Sequence, residues 1–338
     1  MTAATLLAGA PVVAAPQGEA LSRPAAMVRA PARVVLLAAA RVSQRLLVVG
    51  ERGVIAVSDD EGATWRQVPC PTSVTLTAVR FSDERHGVAV GHGGVVLATE
   101  DGGNRWALRL DGRRAAEVAL AAADTPALQR DAQRLVADGP DKPFLDVLMW
   151  DAQRWLVAGA YGLAFETHDA GRTWQSWIGR LPNPRALHWY MVRRQGDTLL
   201  FAGEQGLLAS SADGGATFTT PASPYRGSWF AGEILPDGQW LVAGLRGNAW
   251  RSADSGRSWR QITSSAPASI TAVLAVGQEL LLANQAGMVM RLNGDTLLPV
   301  TTAPLPMPSA LVRGRDALFA AGVAGIQPLP AMAAKDAR

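Results

Sequence analysis

The side chains best suited to chemistry in this chain stand beside one short motif, Gly-x-x-Gly. Between its glycines, or next to them, lie Glu51 and Arg52, His92, Tyr161, Glu204 and Gln205, Arg246, and Gln285. The stretches 184–190 and 224–230 add Arg185, His188 and Tyr190, then Tyr225, Arg226 and Trp229. Arginine presents a planar fork that grips carboxylates and stacks on rings, so arginines beside aromatics on loops point to a binding surface. A carboxylate pair such as Glu51 and Glu204 would instead suit acid–base cleavage of a glycosidic bond, provided the two flank one substrate. The four histidines, His86, His92, His168 and His188, fall in different turns without ligand spacing, and Cys70 is the single cysteine. No metal centre, disulfide framework or cofactor is therefore expected.

The elements that must position these residues repeat. Gly-x-x-Gly or a close variant occurs seven times, at 50–53, 91–94, 159–162, 203–206, 244–247, 284–287 (opening on Asn284) and 322–325. An alternating apolar run precedes each copy, as in Trp155-Leu156-Val157-Ala158, and another follows it, which reads as two short strands joined by a tight glycine turn. Repeats of about forty residues built this way predict a seven-bladed β-propeller of four-stranded antiparallel blades. A second motif, the Asp-box Ser-x-Asp-x-Gly-x-Thr-Trp, marks the next hairpin of each blade. It places Asp60 and Trp65, Asp101 and Trp106, Asp169 and Trp174, Asp213 and Phe218, and Asp254 and Trp259 in matching positions. Its aspartate should accept hydrogen bonds from the turn, its glycine take a left-handed conformation and its aromatic pack back on the sheets, a structural role.

Strand order separates the two motifs. In a four-stranded meander, the turn between strands two and three lies opposite the turn between three and four. The Gly-x-x-Gly turns and the connections between blades thus share one face, and the Asp-boxes occupy the other. Arg52, His92, Tyr161, Arg185, Glu204, Arg226 and Arg246 are the expected partner-binding residues on the first face. One connection there, about 111–143, turns helical: Thr125-Pro126 reads as N-cap and first turn, Leu128, Ala132, Leu135 and Val136 as an apolar stripe, Gly139-Pro140 as the end, and Ala115–Ala123 as a second helix. The seventh blade supplies three strands before the sequence runs out. Residues 25–29 are expected to add its fourth strand and close the ring.

Composition sets the partner class. The 338 residues carry 32 Lys and Arg against 29 Asp and Glu, a net charge of +3 spread through the repeats, which argues against nucleic acid. No apolar run is long enough to span a bilayer. The first residues, Thr2 to Ala15, read as the end of a secretory segment with Val12 and Ala14 at the small-residue positions, although the basic start is missing. The expected layout is a signal remnant or disordered tail at 1–24, a propeller at 25–330 and a polar tail at 331–338, forming a monomeric exported protein.

With the blades aligned, Leu199–Gly206 followed by Ser210–Phe218, and Trp240–Gly247 with Arg246 in its turn, resemble the photosystem II assembly and stability factor family. The resemblance covers about 25–330. It implies a non-catalytic lumenal or periplasmic scaffold that holds membrane-protein intermediates, with Arg246 on the binding face. Asp-box propellers also occur in sialidases and some endoglucanases, the alternative reading. A sialidase-like site needs an arginine triad, an activated tyrosine and an acid aspartate; the chain has only Tyr161, Tyr190 and Tyr225, and lacks an Arg-Ile-Pro signature before the first box.

Overall fold

The computed structural model describes residues 17–277, 279–301 and 303–329. Seven antiparallel sheets follow one another along the chain, each a simple meander. Blade one runs Leu36–Val42, Arg45–Gly50, Ile55–Ser58 and Arg66–Gln67. Blade two runs Leu76–Phe81, Gly87–Gly91, Val96–Thr99 and Ala107–Leu110, and blade three Phe144–Met149, Trp155–Gly159, Ala164–Thr167 and Gln175–Ser176. Blade four has Trp189–Gln195, Thr198–Gly203 and Leu208–Ser211; a single bridge from Ser210 to Thr219 stands for its fourth strand. Blade five begins at Trp229–Ile234, blade six at Ile270–Val276 and blade seven at Pro308–Arg313.

The second strands are the core. Leu46 to Val49, Leu156 to Ala158, Leu199 to Ala202 and Leu281 to Ala283 are fully or almost fully shielded, because each central strand is covered by neighbouring blades on both faces. Trp189 and Trp229, which open their blades, are completely buried, so they are scaffold rather than contact residues.

The box hairpins behave as the sequence predicts. Asp60 accepts from the Thr64 amide at 2.8 Å and its hydroxyl at 2.5 Å, while Ser58 receives the Gly62 amide at 2.7 Å. Gly62, Gly103, Gly171, Gly215 and Gly256 all have φ near +80 to +93°. The indoles of Trp65, Trp106 and Trp174 donate to the carbonyl of their own box glycine, whereas Trp259 donates to Ala222 of the preceding blade.

The Gly-x-x-Gly turn works differently from the simple glycine hairpin. In blades one to five it is one turn of 3-10 helix, and its first glycine is extended, with φ −168° at Gly50. Glycine is needed there for room: a Cβ on Gly50 would sit 2.1 Å from the Val35 carbonyl, and the same clash recurs at Gly91, Gly159, Gly203 and Gly244. The left-handed positions are instead the residue before the last glycine and that glycine itself. Arg52, Tyr161, Gln205 and Arg246 all adopt φ between +52 and +57°, a conformation that costs a residue with a Cβ about 1 kcal/mol or more.

Two expectations about the chain's ends change. Residues 25–29 do not pair with blade seven, whose sheet keeps three strands among the described residues. They hang on blade one instead: the Ala25 amide donates to Cys70, and Gln67 bonds both Val28 N–H and the Ala26 carbonyl. Only at Pro31–Arg33 does the chain reach blade seven, where Ala32 O abuts Gly325. The ring closes by packing of Leu46, Trp65, Val312 and Phe319, with Arg41 donating to the Arg313 carbonyl and the Arg315 amide donating to Glu61. The segment read as signal remnant or tail is described from Gln17, where helix α1 (Gln17–Ser22) docks Leu21 into the core of blades one and two. The stretch Thr2–Ala15 and the tail 331–338 lie outside the described residues.

The insertion forms two helices, α2 (Gly112–Ala122), capped by Asp111, and α3 (Pro126–Asp138), capped by Thr125 and ended at Gly139 with φ +78°. Ala115 and Ala119 bury α2 between blades two and three. Ala132 is buried and Leu135 packs against the same core, but Val136 is exposed. It lies about 80° around the helix from Leu128, outside the narrow stripe that α3 presents.

Candidate functional site: the Gly-x-x-Gly face

The turns on this face are stapled to the connection entering their own blade. The first residue of each turn donates its amide to a carbonyl there: Glu51 to Val35, His92 to Thr75, Ala160 to Pro143, Glu204 to His188 and Leu245 to Ser228. The amide of the left-handed residue is met by a side chain: Tyr161 by His188 Nδ1 at 3.5 Å, Gln205 by Ser228 Oγ at 3.3 Å, Arg246 by Ser269 Oγ at 3.2 Å. The strained residues are thereby fixed with their side chains projecting into solvent.

Blades three to five bring several expected residues together. Tyr161, half exposed, meets His188 at 4.9 Å with the rings tilted, and His188 lies 6.0 Å from Tyr190, itself 5.2 Å from Phe230. Glu204 ties this row down, 3.2 Å from both the His188 amide and its Nδ1. Burial and the Glu204 charge raise the Tyr190 hydroxyl above the ordinary phenol range. Lys142 lies over the Tyr161 ring at 5.2 Å. Arg185 reaches Gln205 Oε1 at 2.9 Å. Arg226 backs onto Gly206 of the same turn, and Arg246 occupies the next turn round. Arg226 and Arg246 have no carboxylate partner among the described residues. Arg52 and His92 project from blades one and two, away from this group.

A cleft of about 1060 Å³ opens beside Tyr161, between α3 and the loop 178–186, with Leu128, Leu135, Ile178 and Leu181 on its walls and Asp131, Arg134 and Arg180 at its rim. The aromatic row leads from this cleft to the central channel. There, a bulge after the first residue of the inner strand aims Leu37, Thr77, Leu145, Tyr190, Phe230, Thr271 and Ser309 inward, one from each blade.

Deeper in the channel lies a charge network that the motifs did not point to. Asp146 pairs with Arg193 and, at 3.3 Å, with Arg80, and accepts from the Val147 and Val192 amides; Arg193 also reaches Glu233 at 3.5 Å. Burial pushes the Asp146 carboxyl up, but the Arg193 and Arg80 guanidinium groups and the Val192 amide outweigh it and hold it below the usual carboxylate range. The signal was present in the repeat. Arg80, Arg193 and Glu233 occupy the inner-strand register where blades one, six and seven carry Ala40, Leu274 and Val312.

The Glu51 and Glu204 carboxylates are engaged by the backbone. Glu51 and Glu204 belong to blades one and four, and both are turned inward onto backbone amides, Glu51 accepting from Val35 at 3.4 Å. Burial pushes the Cys70 thiol up to about 11. Among the described residues no group of three or more His, Cys, Asp or Glu is placed to hold a metal, and no helix is long and apolar enough to cross a membrane.

Comparison with known proteins agrees with this fold. A family model described as photosynthesis system II assembly factor YCF48 matches residues 57–125. The chloroplastic photosystem II stability/assembly factor HCF136 of Cyanidioschyzon merolae is 51% identical over 47 residues, a match spanning 13% of this chain and 11% of that protein. Among solved structures, YCF48 bound to D1 peptide aligns with TM-score 0.64 at 16% identity, covering 89% of this chain and 94% of that one. YCF48 from Cyanidioschyzon merolae aligns with TM-score 0.62 at 15% identity over 89% and 97% of the two chains. A virginiamycin B lyase from Staphylococcus aureus aligns with TM-score 0.64 at 12% identity over 91% and 98%. At such identities the structural likenesses are likenesses of fold, shared by an enzyme and by assembly factors. Repeat and fold make the chain a seven-bladed β-propeller, and its local sequence over residues 57–125 is similar to photosystem II assembly factors.

Proposed function

We propose that the chain is an exported, non-catalytic scaffold that binds segments of a membrane protein complex, or of its assembly intermediates, on the Gly-x-x-Gly face of blades three to five. The observation that carries this reading is the aromatic row Tyr161–His188–Tyr190, flanked by Arg185, Arg226 and Arg246 and open at one end to the apolar cleft under α3. Rigid aromatics provide contact area at low entropic cost, and guanidinium groups free of carboxylates are ready to take an acidic or C-terminal group from a partner. A YCF48 structure holding a D1 peptide lends support, since that propeller binds a peptide. A periplasmic setting, or a lumenal one in a photosynthetic cell, fits the apolar Thr2–Ala15 stretch.

The test is affinity capture from detergent-solubilised envelope membranes. A membrane protein should co-purify with the wild-type chain and be lost from the Arg185→Ala, Arg226→Ala, Arg246→Ala variant while circular dichroism stays unchanged; an unchanged partner profile would reject these arginines as the binding surface. Hydrolysis of fluorogenic glycosides abolished by Glu204→Gln would overturn the scaffold reading altogether.

A further inference from the structure

The other side of the same face, around blades seven and one, has a different character. The segment 25–33 strides across it, with Ala25 against Gly53 of the first turn and Ala32 against Gly325 of the last. Along this path stand Met27, 63% exposed, and the exposed Arg29 and Arg33; Arg52 projects from the neighbouring turn. Met307, 49% exposed, touches Gly322 through its carbonyl, and Val323, 44% exposed, is the tip of the seventh turn. The one carboxylate among these turns, Glu51, is bonded back to the Val35 amide, which leaves Arg29, Arg33 and Arg52 without an acidic partner among the described residues. The loops of blades six and seven on this face, 263–269, 284–287, 300–307 and 322–325, contain no charged residue at all. Elsewhere on the propeller, arginines such as Arg41, Arg45, Arg109, Arg251 and Arg291 sit in ion pairs.

We propose that this sector, Met27, Arg29, Arg33, Arg52, Met307 and Val323, docks the propeller on the surface of an anionic lipid bilayer. Unpaired guanidinium groups match phosphodiester headgroups, and exposed methionine and valine tips on projecting loops enter the boundary between headgroups and acyl chains; the two contributions add where they share one surface. Acidic protein would satisfy the arginines but would leave three large apolar tips and a ring of uncharged loops unmatched. Docking here orients the client-binding arc of blades three to five beside the membrane, yet the lipid contact uses different residues and stands or falls without a client.

The experiment is flotation of the full chain with protein-free vesicles of phosphatidylcholine, with and without about a third phosphatidylglycerol. Binding to the anionic vesicles only, weakened by salt, is expected. Arg29→Ala, Arg33→Ala, Arg52→Ala should lower the partition coefficient about a hundredfold, as three surface arginines at the usual worth of each near an anionic membrane require. Met27→Ser, Met307→Ser, Val323→Ser should lower it roughly tenfold and make the remainder more salt-sensitive. A control that removes the same charge from the opposite face, Arg105→Ala, Arg172→Ala, Arg257→Ala, should bind nearly as wild type. Absence of binding to anionic vesicles, or equal losses in the control, would overturn the proposal. So would binding to native envelope membranes but not to protein-free vesicles, an outcome that assigns the sector to a protein.

Discussion

The aspartates of the box turns are held as anions by short local bonds. In Asp60, Asp213 and Asp254 the hydroxyl of the residue four positions on, then its amide, then the Ser two positions back lower the carboxyl from 3.8 to about 2. A carboxyl depressed in the folded state contributes stability that is complete above its unfolded pKa and fades as pH falls toward its folded one, here from about pH 4 down to about 2. Melting followed by circular dichroism should therefore show a midpoint that is flat near neutrality and drops across that window. Asp254→Asn should lower the midpoint at pH 7 clearly more than at pH 2.5; equal drops would separate the aspartate from the acid response. In the channel, Asp146→Ala leaves Arg193 buried without its main partner, a loss of about 3–5 kcal/mol when one half of a buried pair is removed, readable in urea unfolding. A midpoint within error of wild type would show the network to be solvated. The box aspartates could be read from sequence because each is bonded within four residues of itself. Asp146 could not, because its partners come from blades two and four, far along the chain on either side, and meet only when those blades pack together.

At the scale of elements, what was legible divides along the same line. The helical insertion was visible down to its caps, since Thr125 and Gly139 act within one turn of themselves. The geometry of the Gly-x-x-Gly turn was misjudged because the first glycine answers to the carbonyl of an earlier connection, 15 residues away in the case of Gly50 and Val35, and that approach is invisible in a local window. The assignment of variable turns to one face followed from strand order alone, and the cleft beneath α3 did not, since it depends on how the helix leans. Because α3 packs chiefly on α2, Thr125→Ala should cost the helix about 1 kcal/mol and speed amide exchange through Pro126–Asp138 while the blades keep their protection. Accelerated exchange throughout blades two and three would mean that α3 supports their core as α2 does.

For the whole molecule, the expectation that failed concerns closure. A strand shared between the last and first blades would have joined them by main-chain bonds, but the amino-terminal segment spends its hydrogen bonds on blade one. What holds the seam is side-chain packing, in which the Phe319 ring lies over Gly62 and packs with Leu46 and Trp65. Phe319→Ala should lower stability by about 3–5 kcal/mol, as for other large-to-small core changes, and the first amides to gain exchange should be those of blades seven and one. Loss spread evenly round the ring would contradict this.

The seam also bears on time. Opening one interface of a ring leaves the other six intact, so the earliest step of unfolding is local and its barrier is set by a few side chains rather than by a ladder of backbone bonds. Residence of the native state would then be governed there. A disulfide or a better-packed aromatic across Gly62 and Phe319 would lengthen the protein's lifetime out of proportion to its effect on equilibrium stability.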